Sequence, residues 1–184
     1  MPRTIVTFLV TRTLIGAIGA AGATSGCSSG ANPPGGAAIL LPTGRAIAPR
    51  HAPREVKLAI AAANKIRFTP YPEPDAHFGT LTRLWPAYDC SGAVSYVLFK
   101  AGLHSAVPDV AATLENWGKP GPGRWITVYA SAHHTFIVIA GLAFDTADFG
   151  GPDLPGGTGP RWRADPIGNL ADGASYVVRH PAGL

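Results

Sequence analysis

The sequence predicts an α+β domain. Apolar residues recur at helical spacing in two segments of its first half, and β-branched runs crowd its second half. The 23 glycines and 18 prolines among 184 residues point to short elements joined by long loops. Apolar residues make up 46% and charged residues 14%, which excludes a disordered chain and a membrane bundle. The length suits one domain with one core.

Residues 1–27 have the plan of a secretory signal. Arg3 and Arg12 come first. An apolar run of ~10 residues follows from Leu14 to Ala23, too short to span a bilayer. Thr24-Ser25-Gly26-Cys27 supplies small residues at the cut. Gly26-Cys27 also resembles the end of a bacterial lipobox, although Thr24 stands where such motifs usually carry Leu. Export is the expectation, with lipidation of Cys27 and plain cleavage nearby as its two forms. The protein would then act in the cell envelope or be secreted, with a lipid at Cys27 as its membrane tether.

Residues 28–53, rich in Gly, Pro and Ala, read as a flexible linker. The domain itself is expected over 54–184. Residues 1–54 carry five arginines and no acid, whereas residues 55–184 carry 10 Lys/Arg against 11 Asp/Glu. The basic character therefore belongs to the N-terminal arm. The domain has no clustered basic face, so no nucleic-acid partner is expected.

Glu55 to Phe68 reads as a helix with Val56, Ala59, Ile60, Ala63 and Ile66 on one face and Lys57 and Lys65 pointing outward. Pro70, Pro72 and Pro74 force an irregular loop. A second helix is expected from about Cys90 to Ala101, with Val94, Val97, Leu98 and Ala101 as its buried stripe and Gly102 as its left-handed stop. Val110 to Trp117 reads as a further short helix. Strands are expected at Trp125–Tyr129, Thr135–Ile139, Ala143–Thr146 and Ser175–Arg179, with a tight turn at Ala140-Gly141-Leu142 and a Gly/Pro loop over 150–160.

The chain has two cysteines, and Cys90 alone lies in the domain. A thiol attacks as its thiolate. A cysteine in the first turn of a helix feels the positive end of the macrodipole, which favours the anion. Asp89 is placed to cap that helix, and the small residues Ser91 and Gly92 leave the sulfur uncrowded. A histidine must hold the proton and hand it to the leaving amine. Strand parity does not choose between His133 and His134. If the face shared by His134, Phe136 and Val138 packs on the Cys90 helix, the imidazole of His134 meets the sulfur. Asp145, carried back by a hairpin, is the acid placed to fix the imidazole tautomer. Thr146 is its rival, because a one-residue slip exchanges their faces. No HxH or HExxH spacing is present, so neither a metal nor a cofactor is expected.

The run Tyr88-Asp89-Cys90-Ser91-Gly92-Ala93-Val94-Ser95-Tyr96-Val97-Leu98, followed by Ala101-Gly102-Leu103, resembles the nucleophile segment of the NlpC/P60 cysteine peptidases, in an actinobacterial branch. His134-Thr135-Phe136-Ile137-Val138-Ile139-Ala140-Gly141-Leu142 resembles that family's His-strand. Phe144-Asp145-Thr146, Gly159-Pro160-Arg161-Trp162 and Val178-Arg179-His180-Pro181 are similar to further features of the branch. The resemblance covers roughly residues 55–184. It implies a papain-like α+β fold, with the nucleophile helix packed on an antiparallel sheet.

The activity it implies is cleavage of peptidoglycan stem peptides, at the bond between D-γ-glutamate and a diamino acid. Cys90 is then the nucleophile, His134 the base and Asp145 the third residue. Tyr71 stands where a tyrosine helps shape the oxyanion site, and Asp89 and Ser91 flank the nucleophile as positioning residues. The sequence departs from the branch after Tyr71, where Pro72-Glu73-Pro74-Asp75-Ala76-His77-Phe78-Gly79 replaces an aromatic and a glycine run. That departure motivates a second reading, a wall-binding module with a degenerate cleft; a third, a thiol acyltransferase on the same fold, would use the same nucleophile and base.

Overall fold

A computed structural model describes residues 36–72, 74–147, 159–164 and 175–184. The signal-like segment, Cys27 and most of the expected 150–160 loop lie outside the described residues. The described part is the expected α+β arrangement, with helices against an antiparallel sheet.

Helix α1 spans Arg54–Ile66. Its predicted stripe of Val56, Ala59, Ile60, Ala63 and Ile66 is buried, and Lys57 and Lys65 are exposed. The helix ends two residues before Phe68, which adopts φ 63°. An aromatic residue rarely enters the left-handed region. Phe68 is held there by its N–H donating to the Pro160 carbonyl at 2.8 Å and by its ring lying over Gly44.

The flexible linker expected over 28–53 is corrected for its described part. Strands β1 (Ile39–Leu40) and β2 (Ala46–Ile47) pair antiparallel there. Ala38, Ala46 and Ala52 join the core. The buried Asn64 of α1 supplies the tie that composition does not reveal. Its amide donates to the Ala46 carbonyl at 2.8 Å and its Oδ1 accepts from the Ala46 N–H at 2.9 Å. The same oxygen accepts from Trp162 Nε1 at 3.0 Å. A buried amide so fully bonded joins three elements that sequence spacing does not relate.

Helix α2 spans Cys90–Lys100 and is buried from Cys90 to Leu98. It packs against both α1 and the sheet. It stops at Gly102, φ 77°. There the Gly102 N–H bonds the Phe99 carbonyl and the Leu103 N–H bonds the Leu98 carbonyl, both at 2.9 Å. This pair of bonds is the Schellman motif that a glycine in this place predicts. The short helix expected at 110–117 is reduced to α3, Ala111–Leu114.

The sheet runs β3 (Lys119–Pro120), β8 (Val177–His180), β4 (Ile126–Ala130), β5 (Thr135–Ile139), β6 (Leu142–Asp145), β7 (Arg161–Arg163), every pair antiparallel. Between β5 and β6 the turn is Ala140-Gly141, φ 49° and 87°. Positive φ at both central residues suits a two-residue hairpin, because its twist matches that of the strands. Strands β1, β2, β3 and β7 were not expected from the sequence; each has only two or three residues, too few to show a period.

Candidate active site

Cys90 is the first residue of α2 and is 5% exposed. Asp89 caps the helix, its Oδ1 accepting from the Gly92 N–H at 2.6 Å. The cap thus takes the Gly92 N–H, and the Ala93 N–H meets the Asp89 carbonyl; the N–H groups of Cys90 and Ser91 have no carbonyl of their own helix to meet and point toward whatever approaches the sulfur.

His134 is the residue before β5, and His133 beside it is exposed. The His134 N–H donates to Ser131 Oγ at 3.1 Å, and its carbonyl accepts from the Ser131 N–H at 2.8 Å. These bonds seat the histidine at a tight corner. Its Nε2 lies 2.9 Å from Asp145 Oδ1, and the Cys90 sulfur is close enough to act on the charge of the ring. With Nε2 given to the carboxylate, Nδ1 is the nitrogen available to the thiol. Asp145 is almost fully buried and also accepts from the N–H groups of Thr146 at 2.7 Å and Ala147 at 3.1 Å. Of the two rivals for the third position, the carboxylate of Asp145 is the one bonded to the imidazole.

The electrostatics follow from this arrangement. Burial opposes a charge on His134, but the Asp145 and Cys90 contacts outweigh it and push the imidazole up to about 10. The protonated imidazole is the form these contacts favour.

The face condition under which strand parity would bring His134 to the sulfur is not met. The β5 face that meets α2 carries Ile137 and Ile139, which join the core with Val94, Val97 and Leu98. Phe136 belongs to the opposite face, stacked on Tyr129 at 4.7 Å and edge-on to Tyr176 at 5.4 Å. His134 shares that second face, 6.5 Å from Phe136. Continuing the β5–β6 register puts Asp145 across from Phe136, beside His134 on one face. Cys90 and His134 meet because both stand at the ends of their elements, not because their faces pack.

Tyr71 feels Cys90 as well. Its phenol holds its proton far above the usual range, through burial, the Cys90 charge and a hydrogen bond with Asp75. Its place is set by neighbours on both sides. The Tyr88 N–H donates to the Pro70 carbonyl at 2.9 Å. Gly159 abuts Thr69 so closely that a Cβ there would lie 1.5 Å from the Thr69 oxygen.

The side chains of Asp89 and Ser91 bond each other and a residue the sequence reading did not single out. Ser91 Oγ is 3.2 Å from Asp89 Oδ1, and His77 Nε2 is 3.1 Å from Ser91 Oγ and 3.3 Å from Asp89 Oδ1. The Trp85 ring lies 5.5 Å from His77 and stacks on Tyr88 at 5.3 Å. Gly92 makes this packing fit, since a Cβ there would lie 2.8 Å from Trp85. Its small size, expected to keep the sulfur uncrowded, leaves room for the tryptophan. The signal that would have found His77 is its type: a histidine in a proline-rich loop just upstream of the nucleophile segment. Arg161 was missed as a neighbour of the site because β7 was missed; it is buried and stands in register with Asp145.

No protein-family model matches this chain, and no curated protein matches it. Among solved structures, Rv1477, described as a hypothetical invasion protein of Mycobacterium tuberculosis, is similar at 21% identity and a TM-score of 0.44. The match covers 70% of this chain and 65% of that one.

Proposed function

We propose that this chain is an NlpC/P60-type cysteine peptidase that hydrolyses amide bonds in peptidoglycan stem peptides, at the bond between D-γ-glutamate and a diamino acid. The observation that carries the reading is the series Cys90, His134, Asp145, with 2.9 Å between imidazole and carboxylate. The Cys90 thiolate attacks the amide carbonyl and forms a C–S bond. The developing oxyanion meets N–H donors of the α2 first turn. His134 gives its proton to the amine as the C–N bond breaks. Water, deprotonated by His134, then displaces the thiolate and releases the acid. Asp145 holds the imidazole in the tautomer that this sequence of transfers needs. The plan of residues 1–27 supports action outside the cytoplasm, with Cys27 as the residue that would carry a lipid tether.

The test is incubation of the protein with purified peptidoglycan and with defined stem peptides, the products read by mass. Cleavage that disappears in Cys90→Ala supports the reading; a Cys90→Ala variant that still releases the same fragments overturns it. A wall-binding module is the second reading, and the burial of Cys90 at 5% exposure favours it. Alkylation separates the two, since a module has no need of a reactive thiol. Products transferred to an added amine instead of to water would identify an acyltransferase.

A further inference from the structure

Residues 74–79 are tied to the Cys90 site at two points, Asp75 to Tyr71 and His77 to Asp89 and Ser91. The His77 contact carries a consequence for the thiol. Asp89 must sit beside Cys90 to cap α2, yet a carboxylate next to a thiolate disfavours the thiolate. His77 closes a triangle on that carboxylate: its Nε2–H donates toward Ser91 Oγ and Asp89 Oδ1, and the Ser91 hydroxyl donates to the same Oδ1. The His77 side chain is 21% exposed and that of Asp89 is 7% exposed, so bulk water does little of this work.

We propose that His77 is a positioning residue of the Cys90 site, acting through Asp89 and Ser91 to hold the α2 cap in place and offset the charge of Asp89 on the thiolate. The proposal rests on the reading of Cys90 as a nucleophile. The groups that bear on the sulfur are Asp89 at the cap, Tyr71 with its partner Asp75, and His134 with its partner Asp145. Among them His77 touches Asp89 alone. Burial would raise the Asp89 carboxyl, but the bonds from His77, Gly92 and Ser91 hold it below its usual value.

The experiment is alkylation of the full chain by iodoacetamide across pH 5 to 10. The Cys90 sulfur displaces iodide, and the product is followed by mass at the Cys90 peptide so that Cys27 does not contribute. In His77→Ala the rate–pH curve moves to higher pH by about half to one unit, a slowing of roughly three- to tenfold near pH 6. His77→Gln, which keeps a donor, recovers part of the loss. Circular dichroism shows which variants are folded. If His77→Ala does not fold, His77→Gln and His77→Asn decide, with a smaller displacement in the same direction. Curves that coincide with the wild type in the folded variants overturn the proposal. His134→Ala is the separate control. A wild-type curve like that of a free thiol, unmoved by His134→Ala, sinks the catalytic reading itself.

Discussion

The two sides of the Cys90 site are built in opposite ways. On the sheet side, His134 and Asp145 ride on a hairpin closed by a two-residue turn, and the β5–β6 register sets their separation. On the loop side, Tyr71, His77 and Asp89 lie outside helix and strand, positioned by a few separate contacts, among them Tyr88 N–H to Pro70, His77 to Ser91 and Asp89, and Gly159 against Thr69. A register is held by many backbone bonds at once, so one lost side chain does not move it. A loop held by separate contacts loosens one contact at a time. The sheet side should therefore fail in chemistry and the loop side in geometry or stability.

The largest effect tests the sheet side. His134→Ala should lower the hydrolysis rate by about 10²–10⁴-fold while leaving the far-ultraviolet spectrum unchanged. A rate within a few-fold of wild type would break the comparison at its centre. Asp145→Asn should cost about as much, because the amide no longer imposes the tautomer on the imidazole. Steady-state rates on a stem peptide measure both.

On the loop side, Gly159→Ala should destabilise the fold by about 1–3 kcal/mol, since backbone and not a flexible side chain meets the new Cβ. Denaturant unfolding checks this, and an unchanged midpoint would show that the seam with Thr69 yields more freely than described.

The pH dependence of stability sharpens the contrast further. His134 titrates at about 10 when folded against an ordinary 6.5. A raised value means that its stabilisation is complete below 6.5 and is lost as pH rises through about 10. Asp89 is lowered, so its contribution is present above the ordinary value of 3.8 and lost as pH falls through the folded value. Thermal midpoints should drop on the alkaline side in the wild type and less in His134→Ala, and on the acid side less in Asp89→Asn. The smallest effect is expected for Thr146→Ala, about 0.5 kcal/mol or less, because Thr146 meets Asp145 through its backbone N–H.

Much of the domain was legible in the residues. The α1 stripe from Val56 to Ile66, the α2 stripe ending at Gly102, and β5 over Thr135–Ile139 all follow from periodicity and turn chemistry. The cap at Asp89 was legible too, since an acid before a helical run has one local use. What was not legible depends on contacts between distant residues. The β1–β2 hairpin looked like a linker because its attachment runs through one buried amide, Asn64. Which face of β5 meets α2 was not legible, because parity says which residues share a side, not which side is packed.

The sequence by itself determined the longer elements and the residue types beside the sulfur, because helical and strand periods record burial within each segment. The tertiary structure alone decided which ring nitrogen faces Asp145, which of Asp145 and Thr146 bonds the imidazole, and that His77 braces the nucleophile's cap. Those outcomes depend on strand register and on the paths of loops, and such distances are set only when the whole chain is packed.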